Sequence, residues 1–149
     1  MMNRAKRMAP VQDLVDDTER KLATSLAMHE RRVTDAQNKL NELVRYRGEY
    51  EKQFTERAGS GIAATDLRDY QAFLARLSEA IRQQQGIVQR TQSERDIERG
   101  RWQEAARRVK AIDHVVNQWQ SEERRVVDRR DQRETDERAQ RTRGNPIRD

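Results

Sequence analysis

The sequence contains no cysteine, so it has neither disulfides nor thiolate chemistry to draw on. No apolar stretch approaches the roughly 18 residues that a membrane span needs, so direct membrane insertion is not expected. The start, Met1-Met2-Asn3-Arg4-Ala5-Lys6-Arg7, is basic but has no apolar run behind it, which argues against a secretory signal and for a cytoplasmic protein. Hydrophobic residues make up only 34% of the 149 residues, too few to fill the thick core of a globule of this size. Aromatics are at 5%, too few to line a surface that stacks on bases. Helix breakers are scarce as well, with two prolines and six glycines.

Charge, by contrast, is abundant. Charged residues reach 38% and the net charge is +5. A positive balance raises the question of nucleic acid, but the distribution answers it. Residues 121–149 hold nine Arg against eight Asp or Glu, and residues 82–110 hold eight basic and four acidic groups. Both are mixed-sign surfaces, whereas nucleic-acid arms are runs of one sign. No nucleic-acid partner is expected.

The few apolar residues are strictly spaced. One row in the first part of the chain reads Val15, Leu22, His29, Ala36, Leu43, Tyr50, and a second reads Leu26, Val33, Leu40, Arg47, Phe54. Spacings that alternate between three and four mark a heptad seam, which needs only two apolar positions in seven. The one concentrated breaker is Ala58-Gly59-Ser60-Gly61, a turn. Thr65 or Asp66 is expected to cap the helix that follows. A second seam runs Leu67, Tyr70, Leu74, Leu77, Ile81, Gln84, Val88, Thr91, Arg95, Glu98, Trp102, Ala105, Val109, Ile112, Val116, Trp119. Its stretch from Thr91 to Glu98 is polar and should pack more loosely. The periodicity fades after Trp119, and Gly144-Asn145-Pro146 is a stop.

The fold class that follows is all-α: a long two-helix antiparallel coiled-coil hairpin spanning the chain as one domain. Helix 1 should cover about residues 10–57, the turn 58–64 and helix 2 about 65–140. Folding at Ser60 sets Phe54 against Leu67, Leu40 against Ile81 and Val33 against Val88. In that register helix 1 runs out near Pro10, opposite Ala111. Helix 2 then overhangs with Ile112, Val115, Val116, Trp119, Val126 and Val127, to be covered by residues 1–9 (a weak complement, with Met1, Met2, Ala5, Met8 and Ala9), by a second copy or by a partner, and residues beyond about 127 should fray.

No catalytic residue, metal ligand or cofactor site emerges. His29 lies in the seam and His114 beside it, neither with partners at metal-ligand spacing. Gly59-Ser60-Gly61 lacks the Gly-Lys-Ser/Thr of a phosphate loop. The expected activity is protein binding, without catalysis. Five of the seven aromatics, Tyr46, Tyr50, Phe54, Tyr70 and Phe73, cluster near the turn. Tyr50, Phe54 and Tyr70 fit the seam, whereas Tyr46 and Phe73 flank it. A structure two helices thick leaves such flanking aromatics partly exposed, and an exposed aromatic patch commonly marks an interface.

These residues also carry a resemblance. Leu43-Val44-Arg45-Tyr46-Arg47-Gly48-Glu49-Tyr50, the turn Gly59-Ser60-Gly61-Ile62, Tyr70-Gln71-Ala72-Phe73-Leu74 and Leu77-Ser78-Glu79-Ala80-Ile81 occur in an order and spacing similar to those of the flagellar export protein family FliJ. The strong part covers about residues 40 to 85. The resemblance implies a component of the type III flagellar export apparatus, acting as a coiled-coil stalk and adaptor that escorts export chaperones. It implies that Leu43, Tyr46, Tyr50, Phe73, Leu77 and Ala80 contact the cytoplasmic part of the membrane export gate. It further implies that the open end, with Val15, Ile112, Val115, Val116 and Trp119, enters the hexameric export ATPase. Location would be cytoplasmic, peripheral to the inner face of the cell membrane at the flagellar base. Lys39 and Gln84 depart from the common family pattern. The alternatives are a generic coiled-coil spacer and a basic nucleic-acid-associated protein.

Overall fold

A computed structural model describes residues 3–144. They form three helices, α1 (Arg4–Arg7), α2 (Ala9–Ala58) and α3 (Ala64–Gly144), with no strand among the described residues. The two long helices, joined by one turn, make the antiparallel coiled-coil hairpin that the seams call for. Packing along them falls into two units: Arg20–Glu104, and the segment up to Glu19 together with that from Ala105 onward.

The turn is made by the residues that break the pattern. The Ser60 and Gly61 amides donate to the Arg57 and Ala58 carbonyls at 3.1 and 3.3 Å, closing the last turn of α2. Gly61 then takes φ +90°, a left-handed conformation that only glycine adopts without steric cost. The cap of α3 differs from expectation. Its first bond runs from the Leu67 amide to the Ala63 carbonyl at 3.2 Å, so Thr65 and Asp66 lie inside the first turn. There the Asp66 carboxylate faces the positive end of the helix dipole.

In the Arg20–Glu104 unit the seam residues of α2 from Leu22 to Phe54 are all at least half-buried, with Ala36 at 7% exposure. Opposite them Leu77, Ile81, Gln84, Val88 and Glu98 of α3 are buried. Leu67 is the exception. It is 43% exposed, because Phe54 stacks on Tyr70 at 3.6 Å and leaves no partner for it. The aromatic ring reaches one turn further along α3 than an aliphatic side chain would.

The polar middle is not loose. Val88 and Glu98 are both 6% exposed, and Glu98 accepts from Arg101 at 3.3 Å. Thr91 Oγ1 donates to the Val88 carbonyl at 2.9 Å, and His29 Nδ1 lies 2.8 Å from the Ser25 carbonyl. Local partners satisfy these groups, so the helices need not separate to hydrate them. Gln84 donates from Nε2 to the Ala36 carbonyl at 2.9 Å across the seam. Gln84→Glu replaces that donor by an oxygen facing an oxygen and should cost about 1–3 kcal/mol in a chemical melt. Gln84→Leu should be near neutral, since the Ala36 carbonyl keeps its helical position.

Gly86 and Gly100 sit on exposed faces of α3, and a Cβ built on either meets nothing within 4 Å. Nothing in the packing requires glycine there. Gly86→Ala and Gly100→Ala should each stabilise α3 by about 0.5–1 kcal/mol, read as a rise in the thermal midpoint.

In the other unit, residues 4–8 alter the expected picture. The first long helix does begin beside Pro10, at Ala9, but a separate short helix, α1, precedes it. Asn3 caps α1 by accepting from the Lys6 amide at 2.9 Å, and Ala5 is buried at 6% exposure. Gln12 Nε2 reaches Asp113 at 3.3 Å, and Arg4 reaches Glu122 at 3.0 Å. Val116 is therefore 3% exposed, and Ile112, Val115 and Trp119 are half-buried. The uncovered overhang expected from the heptad rows begins only beyond them, where Val126 and Val127 are 55% and 52% exposed. Past residue 127 α3 stays helical to Gly144 rather than fraying. Arg, Glu and Gln are good helix formers, and i,i+4 links such as Gln132 to Asp136 at 3.3 Å assist.

Candidate functional site

The flank near the turn is assembled from both long helices. Tyr46 and Tyr50 of α2 stand one turn apart, as do Tyr70 and Phe73 of α3. Tyr50 occupies the seam and is stacked on Tyr70 with centroids 5.4 Å apart. Phe73 leans on Tyr50 at 4.6 Å, and Tyr46 meets Phe73 edge to face at 6.1 Å and 89°. The four rings form a chain leading outward from the seam. Its outer member, Tyr46, is 49% exposed, and Val44 on the same helix is 43% exposed.

Of the six gate residues expected, Tyr46, Tyr50 and Phe73 are joined by ring contacts, while Leu43 and Ala80 are half-buried. Leu77 is 8% exposed and belongs to the seam beneath them. Gln84, whose departure from the family pattern stood out, turns inward to Ala36, while Lys39 is exposed. The rings also border an open recess of about 330 Å³ at the turn, where Asp66 and Asp69 face the Tyr50, Phe54 and Tyr70 stack. The aromatic surface is accessible from that side too.

The order Tyr46, Tyr50, turn, Tyr70, Phe73 now has a geometry. The sequence matches the family model described as Flagellar FliJ protein over residues 4–146.

The chain belongs to the FliJ family.

Neither a curated protein nor a solved structure matches it. Family membership makes it a flagellar-export-related protein of a structural and adaptor family, with partners in the export apparatus. Among the described residues no helix is long and apolar enough to cross a membrane, and no group of three His, Cys, Asp or Glu is placed to hold a metal. The Glu79 carboxyl is held below its ordinary range by its hydrogen bond from Arg82, which is held above its own. The two lie 2.7 Å apart on an exposed helix face, an i,i+3 surface ion pair.

The open-end residues, Val15, Ile112, Val115, Val116 and Trp119, are also brought together, but facing inward. All five are half-buried or buried against the opposite helix or α1. Arg4, whose guanidinium lies 4.9 Å above the Trp119 ring, completes this end. From the sequence Ala5 counts only as a weak complement to this end, and Arg4 is missed, because both stand before Pro10 and outside the heptad rows. The available signal was the Asn3 cap two residues before Ala5.

Proposed function

We propose that this chain is the coiled-coil stalk and adaptor of a flagellar type III export apparatus. Its aromatic flank binds the cytoplasmic part of the membrane export gate, and its open end binds the hexameric export ATPase. It also escorts export chaperones. It has no catalytic residues of its own and works in the cytoplasm, held peripherally at the flagellar base by protein contacts. The observation that carries this reading is the Tyr46–Phe73 pair. Two aromatic rings pack on each other at 6.1 Å beside the seam and leave Tyr46 49% exposed. A spacer has no use for a chain of four rings that ends in an exposed tyrosine, whereas an adaptor presents one to a partner.

The gate contacts would be Leu43, Tyr46, Tyr50, Phe73 and Ala80, with Leu77 supporting them from below. At the open end Val15, Ile112, Val115, Val116 and Trp119 form the core that shapes the ATPase-facing surface. Co-purification of the full chain with the export ATPase and, separately, with the cytoplasmic part of the gate protein tests both arms. Failure of both with a folded, helical chain would return the protein to a spacer role. Retention of duplex DNA at physiological salt instead would favour the nucleic-acid reading.

A further inference from the structure

Residues 4–8 cover a face of α3 for which the heptad rows supply no partner. Ala5 at 6% exposure lies in the same packed end as Val116 at 3%, the lowest exposure of the buried core residues. Arg4 spans the rim, over the Trp119 ring at 4.9 Å and paired with Glu122 at 3.0 Å. The cover is nevertheless slight. α1 has four residues, far short of a helix that is stable by itself. It is also broken from α2. Pro10 has no N–H for the Lys6 carbonyl and its ring would crowd that carbonyl, so the chain departs from the helix at Met8, whose amide turns to Ala5 at 3.2 Å. The Arg4–Glu122 side chains are 53% and 56% exposed, and pairs that open to water hold little. The Trp119 ring at this end is thus covered by a short, hinged segment with a weak rim.

We propose that residues 4–8 are a displaceable strap over a helix-docking site on α3 centred on Trp119 and Glu122. The strap shows what the site accepts. A basic side chain lies on the Trp119 ring and the Glu122 carboxylate, and the next residue is small, apolar and buried. The partner is an amphipathic helix presenting the same adjacent pair, basic then small. This rests on the reading above that the open end meets the export ATPase, and it places the docking helix on that protein. Strap and partner compete for one face, so the strap lowers the partner's apparent affinity by the fraction of time it is closed.

The test uses the full chain with Trp102→Phe, leaving Trp119 as the single tryptophan of the original two. Ala5→Glu places a carboxylate at a site that is 6% exposed and should release the strap, and Arg4→Ala removes only the exposed rim contacts. In both, Trp119 emission should shift to the red and its quenching by iodide should rise, with helicity preserved. Affinity for the ATPase should rise about three- to tenfold with Ala5→Glu and less with Arg4→Ala. Unchanged Trp119 emission in both variants would overturn the strap. Exposed Trp119 with unchanged or weaker ATPase binding would overturn the competition, making residues 4–8 part of the interface. Absence of ATPase binding by the parent chain itself would overturn the open-end reading, and the competition with it.

Discussion

Val116→Asp should unfold one end of the hairpin. At 3% exposure the side chain has no route to water while the strap and seam are closed. The substitution loses the burial of the valine, about 1.5–3 kcal/mol. It adds the cost of holding a carboxylate in an apolar site, so the total should reach about 3 kcal/mol or more. Val116→Ala, which leaves a cavity without a charge, should cost about 2 kcal/mol. The loss should be local. Amide exchange should quicken in the segment up to Glu19 and from Ala105 onward, while the Arg20–Glu104 unit keeps its protection. A melt and exchange pattern indistinguishable from the parent would mean that Val116 is not buried.

The second large effect is on partner binding. Tyr46→Ala combined with Phe73→Ala should weaken binding to the export gate at least tenfold and cut swimming motility sharply, while the far-ultraviolet helical signal stays near the parent's. Truncating an aromatic anchor at an interface commonly costs about 2 kcal/mol or more. The edge-to-face pair itself contributes only about 0.5–1.5 kcal/mol to folding, and Tyr46 is already 49% exposed. Phe54→Ala is the contrast. Phe54 stacks on Tyr70 at 3.6 Å, so its loss should loosen the helices near the turn with less effect on the gate. Should the double variant instead melt as poorly as Phe54→Ala and bind in proportion to its remaining fold, Tyr46 and Phe73 are core and the flank is no docking surface.

These two outcomes probe opposite kinds of legibility. Tyr46 and Phe73 are readable from spacing. They fall one position off the seam rows, and two helices offer no third layer to bury such positions. Val116 reads as a seam residue too, yet its neighbour does not. A heptad analysis pairs rows with rows and assigns no partner to a segment too short and too near a proline to have a row. Leu67 failed for a related reason. Periodicity sets it opposite Phe54, but ring size and stacking choose Tyr70.

The sequence by itself determined the two helices, the turn and the antiparallel pairing. Those follow from a period of 3.5 repeated along both halves and from a single Gly-Ser-Gly break, all local and repetitive signals. It also determined the exposed aromatic flank, since a chain 34% hydrophobic has nothing to cover it with. Only the tertiary structure decided which surfaces stay open. Arg4 settles over the Trp119 ring, Gln84 turns inward to the Ala36 carbonyl, and Glu98 is buried with Arg101 at its side. Each depends on contact between particular side chains across the seam or on a non-repeating segment. Contacts of that kind are chosen by the shape and hydrogen-bonding needs of the assembled helices, which a periodic pattern does not encode.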